Sequence, residues 1–359
     1  MRKLHIFLIN GIILTLSSLI MRTVSVWFNA YISSKIGAEG MGLYTLVMSV
    51  YSLAVTVSIF GMSLACTRLV AEESASLNHK GVKYAVKKCV IYGALSGTVA
   101  AIVIFLCADF IGSKILGNKL TVISLQAFGV CLPFLSVSSI LNGYFTAVSR
   151  ITKSSLVQFA ELFTRMATII LFLNFVFPKT LEFSCFSVVL GGTIAETLSC
   201  IYYAIIYFKD VKIYKNKGDT KGIKKRIFKI AVPIALSSCL KSGLSTIKHI
   251  LIPIQLKKSG MSAGTALSQY GIIQGMVMPV IMYPSAIILS FSSLILPEFS
   301  QLYVKNNKAN TNRAISKTFK ITLLFSIGIT GILIYYSDFW DNGYTKVNKQ
   351  DTLYALLPP

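Results

Sequence analysis

Charged side chains set inside long apolar segments are the residues of this sequence that could do chemistry. Arg22 lies in the apolar run over residues 4–32, which is long enough to cross a bilayer. A charge at that depth is costly unless it faces protein, water or a ligand, so it predicts a function. At about 100° per residue, the helix face of Arg22 also carries Gly11, Thr15, Ser18, Ser25 and Asn29. This stripe predicts a face that lines a wet cavity or contacts a polar partner.

Two cations of a later apolar segment, Lys241 and Lys248, share a face with serines. Snorkelling to the headgroups is the simpler interpretation for Lys248, near the outer end of that segment, and for Arg22, shortly before Trp27. It does not account for the polar stripe around Arg22, and Lys241 lies about two turns deeper than Lys248.

Two acids also lie within apolar segments. Glu161 and Arg165 are one helical turn apart, which predicts an ion pair with either a structural or a gating role. Glu196 lies near the middle of another segment with no positive residue within a turn. An isolated carboxylate there is expected to hold a proton or a cation, so Glu196 is the candidate ion-coupling residue. A carboxyl kept neutral by a hydroxyl of a neighbouring helix is the alternative.

The charges within the apolar segments sum to a positive value. Arg22, Arg165, Lys241 and Lys248 outnumber Glu161 and Glu196. A positively charged cavity suits an anionic group such as a phosphate better than a cationic drug. The candidate substrate-binding residues are therefore Arg22, Ser18, Ser25, Asn29 and Lys241.

Catalytic and cofactor motifs are missing from the sequence. The stretch that begins at Gly112 resembles a phosphate-binding loop, but Asn118 replaces the lysine that the motif requires. The seven cysteines form no C-x-x-C pair and have no histidine at ligand spacing. We therefore expect no enzyme activity, no cofactor, no metal site and no ATP binding.

The composition predicts a multi-pass protein of the cell membrane. Of the 359 residues, 54% are hydrophobic and only 13% are charged, whereas soluble domains have about 25% charged residues. With the N-terminus in the cytoplasm, most of the 35 lysines and arginines fall on cytoplasmic segments, as the positive-inside rule requires. The net charge of +22 thus indicates contact with anionic lipid and not with nucleic acid.

The apolar segments predict an all-α protein with about nine or ten transmembrane helices. The predicted spans lie at about 4–32, 40–68, 89–110, 120–147, 155–177, 183–208, 227–254, 265–296 and 317–336. Six spans form a predicted N-terminal lobe over residues 1–208, followed by a basic cytoplasmic linker over 209–226. Residues 227–359 form the predicted C-terminal lobe, whose first helices weakly echo those of the N-terminal lobe.

Several short segments resemble a known family in their order and spacing. They are SLIMR at residues 18–22, FNAYI at 28–32, IGAEGMGLY at 36–44 and RLVAEE at 68–73, with weaker support from AVPI at 231–234 and LPEF at 296–299. Together they resemble the polysaccharide transporters of the stage V sporulation protein B type. That family belongs to the superfamily of multidrug, oligosaccharidyl-lipid and polysaccharide exporters.

The resemblance implies a two-lobed, inverted-V transporter fold with a central cavity that opens alternately to each side of the membrane. It implies a polyprenyl-diphosphate-linked saccharide as substrate, with Arg22 matching the family's cavity arginine. Members usually have about fourteen spans, so we expect a complete six-helix N-terminal lobe and an incomplete C-terminal lobe.

Three functions remain open from the sequence. The first is a flippase for a lipid-linked precursor of cell wall, spore cortex or polysaccharide. It would be driven by protons or sodium, with Arg22 and Lys241 on the diphosphate and Glu161 and Arg165 in the cytoplasmic gate. The second is a proton- or sodium-coupled exporter of organic cations, and the third is an inactive truncated remnant.

Overall fold

The computed structural model describes residues 2–116, 121–148, 150–176, 180–211, 219–220, 222–285, 288 and 308–335. These residues are almost entirely helical and contain no strand, which confirms the predicted all-α class. The helices are α1 (Arg2–Ile59), α2 (Met62–Ala75), α3 (His79–Phe110), α4 (Thr121–Ala147), α5 (Ile151–Leu171), α6 (Leu181–Val211), α7 (Ile223–Lys258), α8 (Ala263–Tyr270), α9 (278–285) and α10 (Lys308–Tyr335). Short π-helical stretches extend α3 over Ile111–Ile115 and α5 over Phe172–Val176, and Gly271–Val277 links α8 to α9.

Seven stretches of the described residues are long and apolar enough to cross a membrane. The first of them, Leu16–Ala75, covers residues 16–32 of the first predicted span and all of the second, because the helix continues through a kink at Gly37. Gly37 has a φ of 72°, a conformation that glycine adopts without the penalty of a side chain. The predicted span over 265–296 corresponds to α8, the π-helical stretch and α9, and most of its remainder lies outside the described residues.

The chain divides into two compact units. One contains residues 1–37 and 272–359, and the other contains residues 38–271. The division into lobes at 1–208 and 227–359 rests on the sequence and stays a prediction. Of the predicted linker over 209–226, the described residues include the end of α6 and the start of α7, whereas 212–218 and 221 lie outside the description.

Close helix packing in the unit of residues 38–271 depends on small residues. Gly93 and Gly97 are four residues apart on α3, a spacing typical of close helix packing, and the structure shows this packing against α4. A Cβ atom on Gly97 would lie 2.7 Å from the Cα atom of Pro133 in α4. Only the absence of a side chain lets the two backbones approach so closely.

Helix α7 packs against the chain between Ala38 and Ala75. At Gly61, between α1 and α2, a Cβ atom would lie 2.6 Å from the carbonyl oxygen of Ala231. Nearer the other end of α7, Thr246 Oγ1 donates a hydrogen bond of 2.9 Å to the carbonyl oxygen of Ser49. The predicted first helix of the C-terminal lobe thus contacts the predicted second helix of the N-terminal lobe.

In the unit of residues 1–37 and 272–359, α1 forms hydrogen bonds with the π-helical stretch Gly271–Val277 and with α9. Asn29 Nδ2 donates a hydrogen bond of 2.8 Å to the carbonyl oxygen of Gly275. The hydroxyls of Thr23 and Tyr283 are 2.7 Å apart. Here the predicted first helix of the N-terminal lobe contacts the predicted second helix of the C-terminal lobe.

Candidate coupling and substrate sites

Arg165 joins two carboxylates from two helices. Its Nη2 atom is 2.7 Å from Glu161 Oε1 on α5 and 2.8 Å from Glu196 Oε1 on α6. Ser199 Oγ donates a further hydrogen bond of 2.8 Å to Glu161 Oε2. The three charged residues, called the carboxylate–arginine cluster below, have a net charge of −1 when both acids are ionised.

The expectation that Glu196 lacks a cationic partner was wrong. Sequence spacing reveals only the neighbours on the same helix, and α6 offers no cation within a turn of Glu196. Arg165 reaches it across the interface from α5, at a separation of 31 residues in sequence. The role of Glu196 in ion coupling stays a prediction.

The cluster belongs to a polar seam between the antiparallel helices α5 and α6. Near one end, the hydroxyls of Ser154 and Tyr203 are 3.3 Å apart. Beyond the cluster, Thr168 Oγ1 donates a hydrogen bond of 3.1 Å to the carbonyl oxygen of Gly191. Polar residues at three- and four-residue spacing on α5 meet a matching face of α6, so the two helices form hydrogen bonds with each other along the seam.

One donor of the seam is unsatisfied. Arg165 Nε is buried and has no hydrogen-bond partner among the described residues. A buried donor without an acceptor is costly, and such groups are commonly satisfied by water or a ligand. The cluster therefore has one donor, Arg165 Nε, that is available to bind a further polar group.

Sequence reasoning missed a buried carboxylate at the end of α6. Asp210 is 1% exposed and accepts hydrogen bonds from Lys153 Nζ at 2.7 Å and Tyr144 Oη at 2.8 Å. Arg150 also forms an ion pair with it. The available signal was a single aspartate in a run of basic residues, which resembles a solvated loop until the tertiary contacts are known.

A second missed cluster connects α2 to α7. The guanidinium of Arg226 forms ion pairs with Glu72 and, at 2.6 Å, with Glu73. Asn78 Nδ2 donates to Glu73 Oε2 at 2.6 Å and also to the carbonyl oxygen of Asp219 at 2.8 Å. We call Arg226, Glu72 and Glu73 the α2–α7 ion-pair cluster.

Within the stripe on α1, Asn29 is bonded to a residue of another element. Asn29 is bonded to Gly275, whereas Ser18, Arg22 and Ser25 are exposed side chains. Ser25 Oγ donates back to the carbonyl oxygen of Met21 at 2.7 Å. Gly11 and Thr15 lie where only the helix backbone is described.

The remaining cations within the apolar helices have no acidic partner in the described part of the chain. Arg22 lies in the unit of residues 1–37 and 272–359, and Lys241 and Lys248 lie in the other unit. All three side chains are exposed, and none forms an ion pair with a described residue. Glu161 and Glu196, the carboxylates near the middle of α5 and α6, are both bound to Arg165 instead.

Comparison with known sequences gives one family and two bacterial relatives. Residues 7–303 match the family described as polysaccharide biosynthesis protein. The chain is 25% identical over 336 residues to stage V sporulation protein B of Bacillus subtilis, covering 92% of this chain and 64% of that protein. It is 19% identical over 335 residues to sporulation protein YkvU of the same organism, covering 92% of this chain and 73% of the relative.

Solved structures of transporters share the fold. A multidrug resistance MATE family transporter of the MOP superfamily, in an inward-facing conformation, matches with a TM-score of 0.72 at 14% identity, over 96% of this chain and 78% of the other. A MOP superfamily transporter from Pyrococcus furiosus, described as having a binding pocket of reverse polarity, matches with a TM-score of 0.65 at 13% identity, over 96% and 74% of the two chains. The predicted family resemblance and transporter fold are confirmed.

Proposed function

Because this chain belongs to the polysaccharide biosynthesis protein family, we propose that it moves a polyprenyl-diphosphate-linked saccharide from the cytoplasmic to the outer leaflet of the cell membrane. The chain has the fold of MATE transporters and apolar helices long enough to span a bilayer. The names of its relatives favour a saccharide used in sporulation. The N-terminus is in the cytoplasm in this proposal, as the distribution of lysine and arginine predicts.

The distribution of intramembrane charge carries the substrate assignment. Arg165 binds both Glu161 and Glu196, whereas Arg22, Lys241 and Lys248 have no acidic partner among the described residues. Cations in a low-dielectric layer are costly unless an anion or water offsets them. A diphosphate provides that negative charge and accepts several hydrogen bonds. In our proposal Arg22 binds the diphosphate with Ser18, Ser25 and Asn29 beside it, and Lys241 is a further substrate-binding residue.

Alternating access is the proposed mechanism, and the crossed contacts of the helices support it. In each compact unit, the predicted first helix of one lobe donates a hydrogen bond to the predicted second helix of the other. The two contacts are equivalent, as is expected if the two lobes are structural repeats, and transporters built from repeats alternate access by moving one repeat against the other. Opening toward either side would require one set of these contacts to separate.

The α2–α7 ion-pair cluster is the proposed cytoplasmic gate. It connects α2, from the predicted N-terminal lobe, to the start of α7, from the predicted C-terminal lobe. Glu161 and Arg165 were assigned to the gate by the sequence, and that role stays a prediction. Since the carboxylate–arginine cluster joins α5 to α6 within one predicted lobe, we propose that it binds the coupling proton or sodium ion.

A proton- or sodium-coupled exporter of organic cations is the second candidate. The net negative charge of the carboxylate–arginine cluster favours it, because a cation would compensate that charge. Arg22, Lys241 and Lys248, which have no acidic partner among the described residues, argue against a cationic substrate near them. The two candidates therefore differ in the sign of the substrate charge.

Flipping of a fluorescent undecaprenyl-diphosphate saccharide in proteoliposomes tests the proposal. We expect the native chain to flip this lipid, and Arg22→Ala and Lys241→Ala each to reduce the rate about tenfold, the effect of losing one charged hydrogen bond to phosphate. Lys258→Ala, which removes an exposed lysine at the end of α7, is the matched control and should retain the native rate. Export of an organic cation by a folded chain that does not flip the lipid would favour the second candidate.

A further inference from the structure

An apolar cavity of about 160 Å3 lies at the helix ends in the unit of residues 38–271. It is bounded by the π-helical extension of α3, the last turns of α7, the first turns of α8 and Leu46 of α1. Its apolar lining includes Leu116, Ile254 and Leu267. Apolar cavities of about this size accept a ligand the size of benzene, so this one has room for a few methylene groups of an acyl chain.

Two cationic side chains also line the cavity. Lys114 comes from the π-helical extension of α3, and Lys257 comes from the last turn of α7. Both side chains are exposed, and Lys114 Nζ lies 5.6 Å from the centre of the Phe110 ring. An apolar cavity with two ammonium groups from separate elements is complementary to an anionic amphiphile. The ammonium groups match its negative charge, and the apolar lining matches its hydrocarbon chain.

One carboxylate lies close to this cavity and opposes its charge. A Cβ atom on Gly264 would lie 3.4 Å from Glu39 Oε1, and Gly264 is next to the lining residue Ala263. Glu39 itself does not line the cavity. The two lysines therefore leave a positive balance at the cavity, reduced by this neighbour.

We propose that this cavity binds an anionic phospholipid of the surrounding bilayer. Its phosphate is held by Lys114 and Lys257, and the first methylene groups of one acyl chain occupy the space beside Leu116 and Ile254. Charge complementarity selects the headgroup, because two nearby ammonium groups favour an anionic over a zwitterionic lipid. Contact with the apolar lining favours a lipid over a free anion, because only the lipid has a hydrocarbon chain to place against Leu116 and Ile254.

The position of the lysines also has a structural explanation that involves no lipid. A control variant separates this explanation from lipid binding. Basic residues in the last turn of a helix interact favourably with its dipole whether or not a lipid is bound. Lys258 shares the last turn of α7 with Lys257 but does not line the cavity. Substitution at 258 therefore removes the dipole effect of one lysine and leaves the proposed site intact.

Thermal unfolding of the purified chain in a mild detergent tests the site. Phosphatidylglycerol is compared with phosphatidylcholine of the same acyl chains, and inorganic phosphate is the third addition. We expect phosphatidylglycerol near saturation to raise the Tm by about 5 °C more than phosphatidylcholine, and phosphate alone to have no effect. The double variant Lys114→Gln/Lys257→Gln should lose this difference, and Lys258→Gln should keep it.

Two further variants keep the test decisive if the double variant does not fold. Ala263→Leu places a larger side chain at the exposed edge of the cavity and should reduce the phosphatidylglycerol effect. Glu39→Gln removes the opposing charge and should increase it. Equal stabilisation by both lipids, an effect of inorganic phosphate alone, or the same loss in Lys258→Gln would each overturn the proposal. The readout is independent of transport, so it does not depend on the proposed function.

Discussion

Thr246 Oγ1 on α7 donates a hydrogen bond of 2.9 Å to the backbone carbonyl oxygen of Ser49 on α1. The threonine side chain is buried, and a second hydrogen bond of 3.0 Å joins it to the carbonyl oxygen of Ser242 on its own helix. A hydroxyl shared in this way connects two helices without leaving a donor unsatisfied in an apolar environment. The contact joins helices that the sequence assigns to different lobes.

Replacement of Thr246 by valine tests this contact. The two side chains have nearly the same shape, so the variant removes the interhelical hydrogen bond with little change in packing. We expect a loss of about 0.5–1.5 kcal/mol in the free energy of unfolding, the usual range for one hydrogen bond between membrane helices. Denaturant titration in detergent measures it, with the exposed Ser245→Ala as control. A loss no larger than that of the control would show that the contact does not stabilise the packing.

Reversal of the charge of Arg226 should open the α2–α7 ion-pair cluster. Arg226→Glu places a third carboxylate beside Glu72 and Glu73, and the repulsion should separate α2 from α7. Cys66 is fully buried in the hydrophobic cluster that includes Ile227 and Ala231 of α7, so separation should increase its modification by a maleimide. Peptide mapping by mass spectrometry measures that modification.

The control variant for this prediction changes Arg68, which pairs with Glu72, one of the two carboxylates bound by Arg226. Arg68→Glu also removes a cation from Glu72, but this pair lies within α2 and is exposed, so little change is expected at Cys66. The combined variant Arg226→Glu/Glu73→Arg should return the modification of Cys66 toward the native level. Similar labelling in Arg226→Glu and Arg68→Glu would contradict the proposed gate.

Removal of Arg165 alone should lower the free energy of unfolding more than removal of all three charges of the carboxylate–arginine cluster. Arg165→Met leaves Glu161 and Glu196 facing each other without a cation, and we expect a loss of about 3 kcal/mol in the free energy of unfolding. The triple variant Glu161→Gln/Arg165→Met/Glu196→Gln removes all three charges and should recover most of that loss.

Denaturant titration of both variants measures the difference, with Lys241→Met as a control for the loss of a cation without an acidic partner among the described residues. The triple variant should also lose the dependence of transport on a proton or sodium gradient. If a gradient still drives transport in the folded triple variant, the coupling ion binds elsewhere.

Asp210 is expected to be a structural carboxylate. Asp210→Asn weakens its contacts with Arg150, Lys153 and Tyr144 at a position that is 1% exposed, so we expect a loss of about 2–4 kcal/mol in the free energy of unfolding. Thermal unfolding measures the effect, and the exposed Asp109→Asn is the matched control. Native stability in Asp210→Asn would show that the basic side chains do not depend on this acid.

The family and the membrane architecture were predictable from the sequence because both depend on local patterns. Runs of apolar residues define the helices, since backbone groups in a bilayer must be satisfied within each segment. The segments around Arg22 and Glu39 identify the family through their order and spacing. Gly93 and Gly97 likewise predict close packing by their spacing alone.

The partners of the charged residues depend on tertiary structure. Glu196 appeared isolated because its cation lies on α5, and Asp210 appeared solvated because the groups that bury it come from other helices. A helical sequence reveals contacts only three or four residues away, whereas ion pairs between helices depend on the rotation and register of the packed segments. The sequence alone thus determined which charges enter the membrane helices, and the tertiary structure decided which of them form ion pairs among the described residues.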